Sequence, residues 1–199
     1  MKAWNLTFTT LVLVTSLCIP KAQAKNVLEI ETNQAKSTFL VSADSQLTTK
    51  QPTLTALNDT FWGPNEDFTI QMPGSIQENG LRELMSWSDI TQTAYLIAHT
   101  DLPVEVPYLS AAQINEILQT SMRGQISSTG KIVRSTNLEI GGYPGLELLV
   151  QHSDGKKGQY QGFIVKGRMY VLGAVTQEEL TTEAVNFFDS FSVNPELVR

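Results

Sequence analysis

Two histidines, His99 and His152, and one cysteine, Cys18, are the side chains of this 199-residue chain best suited to nucleophilic, acid–base or metal chemistry. Asp101 follows His99 by two residues, which in an extended segment puts both side chains on one face. A carboxylate in that place orients an imidazole for proton transfer, and equally it closes a hydrogen bond at a strand end. Neither histidine sits in a His-x-x-x-His or Cys-x-x-Cys motif, so a zinc site would need ligands from distant segments. Ser127 and Ser128 lie between Gly124 and Gly130, but not at the Gly-x-Ser-x-Gly spacing of a nucleophile elbow. Gly141-Gly142-Tyr143-Pro144-Gly145 is a glycine-rich loop of the kind whose backbone amides can cradle an anion. It lacks the Lys-Ser/Thr of a phosphate loop, and its strand-like flanks predict a tight β-turn. Gly141, Gly142 and Tyr143 are therefore retained only as binding-loop candidates. Asn65-Glu66-Asp67 and Ser153-Asp154-Gly155 offer oxygen ligands that calcium favours, without the pattern of a dedicated site. No catalytic residue, cofactor or metal ligand is assigned. Trp62, Tyr108 and Tyr143 sit beside turns, where core packing and an interface role are equally open.

The chain that positions these residues opens on a secretory pattern. Lys2 supplies a positive charge, Leu6 to Ile19 is a 14-residue uncharged run, and Ala22-Gln23-Ala24 is a small-x-small cleavage pattern. A spanning helix needs about 20 apolar residues, so residues 1–24 read as a cleaved signal peptide and no integral membrane segment is expected after cleavage. Cys18 raises the alternative of a lipoprotein, but Leu17 stands where a lipobox wants a small residue. Cleavage before Lys25 removes the only cysteine and also Lys2 and Lys21, leaving 12 basic against 20 acidic residues, a formal charge of −8. Such an acidic chain, whose longest basic run is Lys156-Lys157, is not expected to bind nucleic acid. The expected location is exported: periplasm, thylakoid lumen or extracellular space.

Residues 25–58 are polar and poor in large apolar side chains, which reads as a flexible arm or linker. Val27–Ile30 and Thr38–Val41 leave an edge strand open as the alternative. Composition shifts near Phe61-Trp62, and a single domain is expected over residues 59–199. Phe68, Ile70 and Met72 alternate as in a half-buried strand that ends at Pro73-Gly74. Asn79-Gly80 predicts a reversal into Leu81–Ser88, and Thr93–Thr100, apolar on both faces, reads as a central strand. Ser110 and Gln113 form a capping box before Ile114, Ile117, Leu118 and Met122, predicting a helix that ends at Gly124. Leu146–Val150, Tyr160–Val165 and Met169–Val175 follow as strands joined by short turns, which requires an antiparallel meander. Thr176 and Glu179 read as the capping box of a last helix presenting Leu180, Ala184, Phe187, Phe188 and Phe191 on one stripe. The expected class is α+β, an antiparallel β-sheet with helices packed on its faces.

Three segments in this order, Asp67-Phe-Thr-Ile-Gln-Met-Pro-Gly74, Gly167-Arg-Met-Tyr-Val-Leu172 and Phe187-Phe-Asp-Ser-Phe-Ser-Val193, resemble the PsbP/Mog1-like superfamily. The resemblance covers about Phe61 to Val193 and lies in strand ends and core aromatics. It implies an α/β/α sandwich, and a non-enzymatic exported accessory protein that binds a protein complex through its loops. A photosystem-associated role is the most concrete version. The alternative is a small-molecule or ion-binding envelope protein.

Overall fold

The structure, a computed structural model, describes residues 59–126 and 128–198. The expected signal peptide and arm, and Ser127, lie outside the described residues. Along the chain come β1 (Asp59–Trp62), β2 (Phe68–Met72), β3 (Ser75–Asn79), β4 (Glu83–Ser88), β5 (Thr93–Asp101), α1 (Ala111–Ile126), β6 (Gly130–Ile140), β7 (Tyr143–His152), β8 (Lys157–Val165), β9 (Arg168–Thr176), α2 (Thr182–Asp189) and β10 (Ser192–Val193). Seven strands form one antiparallel sheet in the order β3-β4-β5-β9-β8-β7-β6. The expected meander is β7 to β9, and β6 extends it by a fourth strand. A separate three-stranded sheet, β1-β2-β10, is a second layer that the sequence patterns did not announce.

Alternation sorts the large sheet into two faces. Tyr95 and Ile97 of β5, Tyr170, Leu172 and Ala174 of β9, and Phe163 and Val165 of β8 share one face and are buried there with Phe68, Ile70 and Met72 of β2. Phe187 and Phe188 of α2, with Phe191 just beyond it, complete this core. An eight-residue helix is too short to hold itself in water, so α2 persists because these rings are buried. Thr91 Oγ1 and Tyr95 Oη also donate to Glu183 Oε1 at 2.6 and 3.0 Å, pinning its first turn to the start of β5. On the opposite face α1 lies across β6, β7 and β8, with Met122 seated against Gly162. β5, apolar on both sides, is flanked by β4 and β9 as a central strand should be.

Two helix boundaries differ from the sequence reading. The Ser110–Gln113 capping box forms, with Ser110 N donating to Gln113 Oε1 at 3.0 Å, but α1 continues past Gly124 to Ile126. Gly124 is solvent-facing, and its cost of about 1 kcal/mol in a helix is below the roughly 1.5–3 kcal/mol from burying Ile126 one turn beyond Met122. Thr176 does not cap α2. It is buried at the end of β9, where its Oγ1 accepts from Glu178 N at 3.2 Å, while Glu179 pairs with Lys157. The helix starts six residues later, after Thr181.

Gly74 has φ +75°, and a methyl there would be driven into the Trp87 carbonyl, whereas Gly142 at φ +85° faces open space. Gly74→Ala should therefore lower the unfolding free energy by about 2–5 kcal/mol and Gly142→Ala by about 1–2 kcal/mol. Urea denaturation of the two variants tests this; an equal or smaller loss at Gly74 contradicts the packing of β2 and β3 onto β4.

Candidate functional site

The register gathers six connections at one end of the sheet. Asp101 ends β5 opposite Arg168, which begins β9, and β8 ends beside it at Val165. The β3–β4 turn lies alongside, with His99 N donating to Arg82 O at 2.9 Å. The loop after β5 is tied in through Leu102 N to Gly167 O at 2.7 Å. The Gly63–Asp67 turn, the segment after β10 and the Gly141–Gly142 turn complete the set. Of the large hydrophobic side chains exposed among the described residues, Trp62, Leu81, Val104, Tyr108 and Leu197 stand at this end, while Ile90, Val133 and Val185 lie elsewhere. Single exposed apolar residues are ordinary, but five on converging connections mark a surface built to be covered.

Beneath this surface lies an ionic network. Asp67, fully buried, accepts from Arg168 Nη1 at 2.9 Å and from Tyr170 Oη at 2.5 Å, both on Oδ2. Arg168 Nε also donates to Asp101 Oδ1 at 2.6 Å. Burial alone would raise the Asp67 pKa, but the hydrogen bonds from Tyr170 and Arg168 and the guanidinium charge outweigh it and hold the carboxyl below its ordinary range. Burial pushes the Tyr170 hydroxyl up, and the Asp67 carboxylate pushes it further. His99 packs beside the Phe68 and Tyr170 rings, at centroid distances of 5.8 and 6.4 Å, and among the described residues its buried Nε2 has no hydrogen-bond partner. Burial, then the charge of Arg168, lower its pKa against the opposing pull of Asp67, Asp101 and the Leu81 backbone.

A cleft of about 350 Å³ opens on the outer face of the small sheet, between Trp62 and Leu197, with Thr69 and Ser192 on its floor and Glu66 at its rim. Trp62 and Ser192 flank Thr69 across the two ladders, so all three rise on the side away from the core-facing Phe61 and Ile70.

Several sequence candidates meet at this end. Gly141 and Gly142, with φ +55° and +85°, form the two-residue hairpin turn between Ile140 and Tyr143. Tyr143 itself packs half-buried against the core, whereas Trp62 and Tyr108 are 65% and 89% exposed. His99 and Asp101 share a face, but Asp101 is bonded to Arg168 and does not orient the imidazole. Asp67 is likewise an interior partner of Arg168 and not a calcium ligand. His152 lies at the other end, 2.9 Å from Tyr160 Oη, and Asp154 there pairs with Lys156. Among the described residues no group of three or more His, Cys, Asp or Glu is placed to hold a metal, and no helix is long and apolar enough to cross a membrane. Leu81, Val104 and Leu197 were missed; their signal was an aliphatic residue inside a turn rich in Gly, Pro, Asn or charge.

No protein-family model matches the sequence, and no curated protein is similar to it. Solved structures to which the chain is similar include cyanobacterial PsbP (CyanoP) from Synechocystis sp. PCC 6803, with 9% identity over 68% of this chain and 92% of that one and a TM-score of 0.48. The Saccharomyces cerevisiae Ran-binding protein Mog1p gives 9% identity over 73% and 100%, with a TM-score of 0.47. A Bacteroides thetaiotaomicron VPI-5482 protein gives 10% over 68% and 48%, with a TM-score of 0.45. The first two carry the names of the superfamily that the three sequence segments resemble, and the described residues are of the expected α+β class. Identities of 9–10% with TM-scores below 0.5 make this a likeness of chain course alone, without bearing on activity or partners.

Acid should weaken the fold in two steps. A histidine whose folded pKa is depressed binds its proton more readily when unfolded, so stability is lost as pH falls through the ordinary value of 6.5 towards the folded value. Asp67, depressed from 3.8, holds its contribution above that value and loses it as pH falls through the folded pKa. Denaturation midpoints between pH 8 and pH 3 should show both steps, and His99→Phe should remove the first while keeping the second. An unchanged upper step in that variant contradicts the assignment.

Proposed function

We propose that this protein is a non-enzymatic accessory protein that binds a protein partner through the Asp101 end of its sheet, at an exported location. The single observation that carries the reading is the convergence of Trp62, Leu81, Val104, Tyr108 and Leu197, all exposed, on connections at the end of the sheet where Arg168 bonds both Asp67 and Asp101. Aromatic and aliphatic side chains on a rigid frame are what protein interfaces use as anchors, because little conformational freedom is lost when they are covered. The Gly141–Gly142 turn and Tyr143 belong to the rim of this surface. Export rests on the pattern of residues 1–24, followed by an arm over 25–58, and a photosystem complex is the most concrete partner consistent with the sequence resemblance. The rival, a small-molecule or ion-binding envelope protein, calls for convergent polar groups in a deep pocket. The cleft beside Trp62 is open to solvent and is not a deep pocket, although Glu66, Thr69, Ser192 and Asn194 make up half of its lining.

A photocrosslinking residue placed at Tyr108 or at Leu81 of the full chain, in the cells that make it, should capture one and the same partner protein. The same residue at Ile90 or Val133 should capture none, and Tyr108→Ala should lower capture at Leu81 about tenfold or more, the loss expected of an interface anchor. Equal capture at all four positions, or none at any, contradicts the reading.

A further inference from the structure

The cleft beside Trp62 has features that the rest of this end lacks. Trp62 and Leu197 both line it, Leu197 carried by the 3-10 turn Pro195–Leu197, where Asn194 Oδ1 accepts from Glu196 N at 3.2 Å. Its volume of about 350 Å³ is near the lower limit of ligand pockets, about 300 Å³, which suits a side chain or two better than a whole organic ligand. Glu66 at the rim has φ +56°, locked by Glu66 N donating to Gly63 O at 2.8 Å. A glycine would hold that conformation without strain, so the glutamate there carries a backbone cost that a glycine would not. Among the described residues no side chain pairs with its carboxylate.

A cleft lined by the exposed Trp62 and Leu197, with the unpaired carboxylate of Glu66 beside them, complements an apolar side chain with a cation beside it. We propose that the cleft seats one large apolar side chain of an extended partner segment, Leu, Ile, Met or Phe, while a Lys or Arg within two residues of it meets Glu66. The inference rests on the partner-binding reading of this end and names what the partner must present.

Random decapeptides displayed on phage, selected on the immobilised full chain, are the probe. Enriched sequences should carry a large apolar residue within two positions of Lys or Arg. A synthetic winner should lose tenfold or more in affinity on Trp62→Ala, whose side chain is too exposed to be needed for folding. On Glu66→Gln it should lose threefold or more at low salt and nothing at 0.5 M salt, because an exposed pair is screened there. Glu66→Gly should weaken the peptide while raising the denaturation midpoint, a combination that damage to the fold would not produce. Absence of enrichment, winners without this pattern, or winners that bind both Trp62→Ala and Glu66→Gln as tightly as the parent overturn the proposal. Partner crosslinking at Tyr108 that survives Glu66→Gln undiminished removes the cleft but leaves the surface, whereas crosslinking that is absent in the parent chain removes the surface itself.

Discussion

Asp67 sits on the turn between β1 and β2, while its two partners, Arg168 and Tyr170, are on β9 at the centre of the other sheet. A carboxylate with no solvent exposure is tolerable only because a guanidinium and a phenol hydroxyl occupy one of its oxygens. Such a pair adds little net stability over an apolar filling of the same shape, but it is unforgiving of displacement, since separating the partners leaves a charge buried alone. Its consequence is positional. The small sheet has one height and one register over the large one, and the Gly63–Asp67 turn, Trp62 and Glu66 are held where the β5 and β9 ends emerge.

The second arm of the network reaches outward. Arg168 is 5% exposed and bonded on one side to buried Asp67, on the other to Asp101, which is 57% exposed. One guanidinium thus joins the interior to the surface loops through its fork of donors. The Phe68, His99, Tyr170 and Phe191 rings pack on one another, Phe68 on Tyr170 at 5.6 Å and Tyr170 on Phe191 at 5.7 Å. At 5% and 0% exposure Arg168 and Asp67 are shielded from water, which strengthens that ion pair. Rigid support below and exposed apolar groups above are the combination that lets a surface bind without first being ordered.

Local signals were legible where one residue type admits one conformation. Gly141-Gly142 marked a hairpin, Ser110 with Gln113 marked a helix start, and the alternation of Phe68, Ile70 and Met72 marked a strand with one buried face. Asn79-Gly80 marked a reversal in which Asn79 stays in the β3 ladder and the turn runs from Gly80 to Glu83. What depended on partners far along the chain was not legible. Thr176 and Glu179 have capping-box spacing, yet each was claimed by a distant residue, Thr176 through the β9 ladder with Thr93 and Glu179 through Lys157. Asp67 looked like a surface ligand beside Glu66 because nothing local reveals Arg168, about a hundred residues away. The site was half legible. Trp62 and Tyr108 stood out as aromatics beside turns, whereas Leu81, Val104 and Leu197 become part of a surface only once the sheet brings their connections to one end.

The central claim is that this end of the sheet is the face a partner covers. Amide hydrogen exchange of the full chain, alone and with its captured partner, measures that directly. Slowed exchange should be confined to residues 63–67, 80–82, 102–110 and 194–197, with the turns at 89–92 and 153–156 at the far end unchanged. Slowing at those far turns, with none around Trp62 and Tyr108, would contradict the account.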